Sequence, residues 1–254
     1  MVNDRMKVIV SLTTIPKRMS SLHLVLQSIL DQSYPILEIH LNIPFFCLRT
    51  GEHYEIPPEI RQFPKVKLFR TEDFGAATKV APTFRRVGRD GSSFIWQIDD
   101  DICYPQNALE LLVQGMAMKN ETEIVCRYGG VLNNGFNMQP LYGVGTVDFM
   151  EGYGGILYPP NCIEPKFFHV LNEINEIEFI RNADDVYLSM YFKFVGVKMF
   201  MYHPLSEQNP YGINSITSST VDALSDSGHF DNYGKAFNYL TNVFERDHLT
   251  FHSS

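Results

Sequence analysis

No glycine occurs before Gly51. A dinucleotide-binding fingerprint or a phosphate loop after the first strand is therefore excluded, because both need glycines in that turn. The four cysteines, Cys47, Cys103, Cys126 and Cys162, form no Cys-x-x-Cys pair and show no zinc spacing. Thiols scattered this way fit a reduced, cytoplasmic protein better than a disulfide framework. Positive charge is also scarce. The formal net charge is −8, and a nucleic-acid surface needs clustered Lys and Arg, so no nucleic-acid partner is expected. That balance still allows a local basic pocket for one diphosphate. Long apolar runs are missing too. Tyr191 to Tyr202 is interrupted by Lys193 and Lys198, so no transmembrane segment is expected. Met1 to Lys7 is polar and leads straight into a strand, so no signal peptide is expected. There is no internal repeat and no low-complexity tract.

What is present is an ordinary globular balance, 44% hydrophobic and 20% charged, in 254 residues, enough for one large α/β domain or two small ones. The chain is organised around Ser93-Phe94-Ile95-Trp96-Gln97-Ile98-Asp99-Asp100-Asp101-Ile102-Cys103-Tyr104-Pro105. Ser93 to Ile98 has the length and the β-branched, aromatic content of a buried strand. Three adjacent ionised carboxylates cannot stay inside a strand without partners, so they belong just past its C-terminal end. Ligands bind at that edge of an open α/β sheet. Alternate carboxylates there converge on a hard divalent cation such as Mg2+ or Mn2+. The alternative is an acidic turn on a solvated loop.

Earlier in the chain, Lys7 to Leu12 reads as a strand, Leu22, Val25, Leu26, Ile29 and Leu30 as a helix behind Ser20 and Ser21, and Leu37 to Ile43 as a period-two strand. Strand, helix and strand so close together imply a βαβ unit. Residues 44–64 carry four prolines and read as irregular. Val66 to Phe69 is a third strand. Thr71 to Lys79 is a loop turning into a short helix limited by Pro82. Beyond the acids come a helix through Leu109, Leu112, Val113 and Met116, and a strand at Ile124 to Cys126. Residues 128–155, rich in Gly and Asn, read as loop and hairpin. Helices follow at Phe167 to Ile174 and from Asp184-Asp185, where acids suit a first turn. A strand at Val195 to Met201, a polar tail at 203–229 and an amphipathic helix through Ala236 to Phe244 complete the chain.

On these residues the chain resembles the GT-A superfamily of nucleotide-sugar-dependent glycosyltransferases, most of all the small family-2-like enzymes, including those of large DNA viruses. Val8 to Arg18 looks like the family's first strand and nucleotide loop, and Asp73-Phe74-Gly75-Ala76-Ala77-Thr78-Lys79 like its second nucleotide-contacting segment. Asp99-Asp100-Asp101 resembles its Asp-x-Asp motif, and Asp184-Asp185 stands where the family carries an acidic pair. The resemblance implies one GT-A domain over residues 1–254, with a nucleotide-binding half at 1–127 and an acceptor half at 128–254. Its sheet would be mostly parallel and twisted between helices, with a small mixed sheet near the site.

The activity implied is metal-dependent transfer of a hexose from a nucleotide diphosphate sugar, a UDP-sugar by preference, to a hydroxyl of a glycan acceptor, with inversion. Asp101 would hold Mn2+ or Mg2+ against the diphosphate, with Asp99 as metal ligand or ribose acceptor and Asp100 in support. Lys79 and Arg18 would meet the diphosphate, or else be solvated surface charges. Thr13 and Asp73 would meet the base edge, although Thr13 equally suits a strand-end cap. Asp185 would take the acceptor proton, its proton affinity raised by Asp184; helix capping is the competing use of that pair. Glu151-Gly152-Tyr153-Gly154-Gly155 resembles the loop under the sugar. His229 is the best-placed third metal ligand, ahead of His203 and His252. Rival functions are a sugar nucleotidyltransferase, a non-catalytic nucleotide-sugar-binding module and a metal-dependent hydrolase.

Overall fold

The computed structural model describes residues 6–87, 91–204, 214–215 and 229–251. In chain order the elements are β1 (Lys7–Thr13), α1 (Leu22–Leu30), β2 (Glu38–Pro44), α2 (Pro58–Arg61), β3 (Val66–Thr71), α3 (Ala81–Val87), β4 (Ser93–Gln97) and β5 (Ile102–Cys103). They continue with α4 (Ala108–Met118), β6 (Ile124–Leu132), β7 (Met138–Pro140), β8 (Val144–Val147), β9 (Phe149–Tyr158) and α5 (Pro165–Ile174). The last are α6 (Glu178–Arg181), α7 (Asp184–Phe194), β10 (Met199–Tyr202), β11 (Asn214–Ser215) and α8 (His229–Phe251). Two 3₁₀ turns, Pro16–Arg18 and Gly75–Lys79, follow β1 and β3.

Among the described residues the strands form one sheet in the order β3-β2-β1-β4-β9-β6-β10-β8, with β7 paired to β6. Strands β3, β2, β1, β4, β6 and β10 run one way, and β9, β8 and β7 run against them. The fold is thus α/β, with a mostly parallel mixed sheet flanked by helices. The mixed half is continuous with the parallel half, and the separate small pair is β5 with β11. Alternation along β4 feeds two apolar layers. Phe94, Trp96 and Ile98 pack with α1 and α4, whereas Ile95 packs with α3, α5, α7 and α8 on the other face. No helix among the described residues is long and apolar enough to cross a membrane.

Two local expectations need correcting. Pro82 does not limit a helix; it lies in the first turn of α3, where its missing N–H costs nothing. The Gly-rich stretch holds the expected hairpin, β6 with β7, but more of it is extended than expected, with β6 and β9 as long paired strands. Their glycines make room for neighbours. A Cβ on Gly129 would stand 2.4 Å from the Phe149 carbonyl oxygen, and one on Gly154 2.3 Å from the Tyr128 ring. Residues 205–213 and 216–228 of the predicted polar tail lie outside the described residues.

Candidate active site

Three parallel strands, β1, β3 and β4, end at one edge of the sheet, and each delivers polar groups there. Thr13 closes β1, and Thr14 and Arg18 follow it. The turn after β3 carries Asp73 and Lys79, and the triplet Asp99–Asp101 follows β4. Because β9 runs antiparallel to β4, its first half brings Glu151 and Tyr153 past the end of β4. The first turn of α7 adds Asp184 and Asp185. These groups line one cavity of about 650 Å3. Of the residues singled out in the sequence, Thr13, Arg18, Asp73, Lys79, Asp99, Asp100, Asp101, Asp184 and Asp185 all face it. His229 opens α8, but its side chain lies outside the described residues.

Two cations knit the acids together. Lys79 Nζ donates to Asp99 Oδ1 at 2.6 Å and stands 3.1 Å from Asp184 Oδ2, joining the β4 triplet to the α7 pair. Arg18 donates to Asp100 Oδ1 at 2.7 Å and approaches Asp101 Oδ2 to 3.1 Å. Thr14 Oγ1 donates to the other Asp100 oxygen at 2.6 Å, so Asp100 is buried and fully engaged. Lys79 is held from behind by a polar knot inside the core. Its carbonyl accepts from Ser11 Oγ at 2.5 Å, and the fully buried Asn42 and Thr83 bond to Ser11 in turn.

Other candidates have local partners as well. Asp73 accepts from the Leu48 N–H at 2.8 Å and the Gly75 N–H at 2.7 Å, so its carboxylate braces its own loop. Thr13 Oγ1 donates to the Asn42 carbonyl at 2.7 Å. Asp185 Oδ1 accepts from the Gly152 N–H at 3.1 Å, while its helix supplies no side-chain cap.

Crowding sets the proton affinities. Burial pushes the Asp185 carboxyl well above the usual carboxylate range, Asp184 adds to the rise, and Lys79 opposes it. Asp101 is raised to about 6 by burial and by the charges of Asp99 and Asp100, against Arg18 and Lys79. Burial also works to lower the Lys79 ammonium, but Asp184, Asp99 and Asp185 outweigh it and hold the pKa well above the ordinary lysine value. Glu151 is raised by burial.

Among the described residues no three His, Cys, Asp or Glu side chains form a ready-made metal group. The donor chemistry suits a hard dication all the same. Asp99 and Asp101 are partly exposed carboxylates facing the cavity, and the repulsion that raises Asp101 is what a dication would relieve. Mg2+ commonly takes only one or two carboxylates and completes its shell with water and substrate phosphates.

Several contributors carried no sequence signal. Thr14 positions Asp100, and the Tyr104 hydroxyl accepts from the Asp99 N–H at 3.0 Å while donating to the Tyr153 carbonyl at 3.0 Å. Tyr54 reaches in from the proline-rich excursion, and Tyr233 from α8. Tyr104 lies five residues beyond Asp99, and its place between the acids and Pro105 was the one available hint.

The class these features define is an α/β protein with an acidic, cation-bridged pocket at the C-terminal edge of its parallel strands. No protein-family model matches the chain, and no curated protein does. Among solved structures it is similar to a mannosyltransferase from Pyrobaculum calidifontis determined in complex with GDP-Man and Mn2+, with a TM-score of 0.49 and 14% sequence identity. The match covers 80% of this chain and 56% of that one, so the chain spans little more than half of that enzyme's length.

Proposed function

We propose that this chain is a metal-dependent glycosyltransferase of GT-A type that transfers a hexose from a nucleoside diphosphate sugar, a UDP-sugar by preference, to a hydroxyl of a glycan acceptor. The observation that carries this reading is the meeting of Asp99–Asp101 and Asp184–Asp185 in one cavity, bridged by Lys79. Glycosyl transfer needs both halves of that arrangement. One must stabilise a departing diphosphate, and the other must accept the proton of an incoming hydroxyl.

In this reading residues 1–127 bind the nucleotide and residues 128–254 the acceptor, within one domain. Thr13 and the Asp73 loop border the base, while Arg18 and Lys79 receive the diphosphate as it leaves. Asp99 and Asp101 would hold Mn2+ or Mg2+, which when bound supplies charge stabilisation to the diphosphate oxygens. Asp185 takes the proton from the acceptor hydroxyl as that oxygen attacks the anomeric carbon. Burial and Asp184 raise its proton affinity above that of an ordinary carboxylate, which strengthens it as a base once ionised. Attack from the side opposite the leaving group inverts the anomeric centre.

Calorimetry with a panel of nucleotide sugars, with and without Mn2+, tests the reading. Binding of one donor, only with metal, supports it. Asp185→Asn should then retain donor affinity and lose turnover. Full-rate release of free sugar without acceptor would instead indicate a hydrolase.

A further inference from the structure

Phe149, Glu151 and Tyr153 alternate along β9 and line the cavity from one face of that strand. The acids of the cavity differ in one respect. Asp73, Asp99, Asp100, Asp101, Asp184 and Asp185 each hold a hydrogen bond or an ion pair. Glu151, half-buried, has neither among the described residues. Burial alone raises its carboxyl, and no cation or N–H acts on it to oppose the rise. An ionisable group withdrawn from water without a partner costs stability, so it is kept where a ligand supplies the missing donors.

The missing partner is not a phosphate. A phosphate can meet Lys79 or Arg18 elsewhere in the cavity, but at Glu151 it would face an uncompensated like charge. The group that suits Glu151 is a neutral hydrogen-bond donor. Tyr153 narrows the choice further. Its ring stacks on Tyr128 at 4.9 Å and 10°, and His203 meets Tyr128 edge-on at 5.1 Å, so the Tyr153 ring is a braced plane. An aromatic plane beside an unpaired carboxylate is the chemistry of a sugar subsite. Pyranose C–H groups lie on the aromatic face, and hydroxyls donate to the carboxylate.

We propose that Glu151 is a specificity-determining residue: its carboxylate accepts from the hydroxyls of an uncharged sugar held against Tyr153, and its charge keeps acidic sugars out. The inference rests on the transferase reading and deepens it by naming the substrate class as neutral hexoses. That sugar is either the donor's hexosyl group or the acceptor's terminal residue, because both carry the same hydroxyls. Rejection of a uronic acid follows because its carboxylate would be brought against that of Glu151.

The test compares wild type with Glu151→Gln, which keeps the shape and removes the charge, and with Tyr153→Leu, which removes the plane. Calorimetry with Mn2+ present measures UDP, UDP-glucose, UDP-galactose and UDP-glucuronic acid. Saturation-transfer NMR, with UDP and Mn2+ present, follows lactose, cellobiose and methyl β-glucuronide. All three proteins should bind UDP alike. If the donor carries the sugar, wild type should bind a neutral UDP-hexose roughly tenfold more tightly than UDP-glucuronic acid, and Glu151→Gln should close that gap. If the acceptor carries it, wild type should transfer saturation to a neutral disaccharide and not to methyl β-glucuronide, and Glu151→Gln should lose that preference. Tyr153→Leu should weaken the neutral sugar by up to about tenfold in the same arm. Selection of neutral over acidic sugars that is absent from wild type, or unchanged in Glu151→Gln, overturns the proposal. So does loss of UDP or Mn2+ affinity in Glu151→Gln, which would put Glu151 with the diphosphate. If Glu151→Gln does not fold, full neutral-sugar affinity in Tyr153→Leu overturns it. Selection that depends on Glu151 in a protein that transfers sugar from no donor keeps the subsite and refutes the transferase reading. Sugar transfer whose selectivity ignores Glu151 does the reverse.

Discussion

Replacing Lys79 by Met removes a cation that joins the two acidic segments. The side chain is only 12% exposed, and its partners Asp99 and Asp184 are 23% and 5% exposed. Breaking one side of a buried ion pair costs about 3–5 kcal/mol, because the remaining charges are left uncompensated. Water reaches Asp99, so the lower end, about 3 kcal/mol, applies here. The pH dependence follows from Asp185, whose carboxyl is already raised by burial and Asp184 and loses its opposing cation in the variant. A raised carboxyl pKa means that the folded protein keeps a proton which the unfolded chain releases near pH 4. Stability on this account falls as pH rises from there through the folded value. The deficit of Lys79→Met should therefore be larger at pH 8 than at pH 4.5. Urea denaturation of both proteins across that range measures it. A deficit below about 1 kcal/mol at pH 8, or one independent of pH, would refute the electrostatic reasoning.

Other outcomes follow from the same geometry. Asp101→Asn should stabilise the ligand-free protein at pH 7.5 by about 1–2 kcal/mol, since Asp101 is held at about 6 and Arg18 keeps Asp100. The gain should vanish at pH 4, where the wild-type carboxyl is protonated, and paired urea titrations would show it. Gly152→Ala places a methyl group 2.8 Å from Asp185 Oδ1, so Asp185 must turn away. Overpacking of this kind costs about 1–3 kcal/mol, read as a lowered melting temperature. Thr14→Val should leave the fold intact but release one Asp100 oxygen, weakening nucleotide binding in calorimetry.

Much of the first half was legible because its strands are short apolar runs ended by polar or proline residues. The Ser93–Ile98 run stops at three acids because the interior cannot hold them, and that physical limit also located the cavity. The second half was harder to read. Glycine in β6 and β9 signals a loop by composition, yet there it serves close contact with Phe149 and Tyr128. Lys79 and Arg18 stood out as cations near a sheet edge, but nothing local to them indicates that Lys79 spans Asp99 and Asp184. Those partners lie far apart in the chain and meet only through the order of the strands. Thr14 and Tyr104 were given no role for a different reason. Hydroxyl and amide side chains at strand ends are common, and their value depends on one neighbour that only the fold supplies.

The most direct test is calorimetric titration of Mn2+ into wild type and Asp101→Ala, each in the presence of UDP. Wild type should bind the ion and the nucleotide together, and the variant should lose the metal-dependent part of that binding. Equal Mn2+ affinity in both proteins, or nucleotide binding indifferent to the ion, would contradict the assignment of the acidic edge as a diphosphate site.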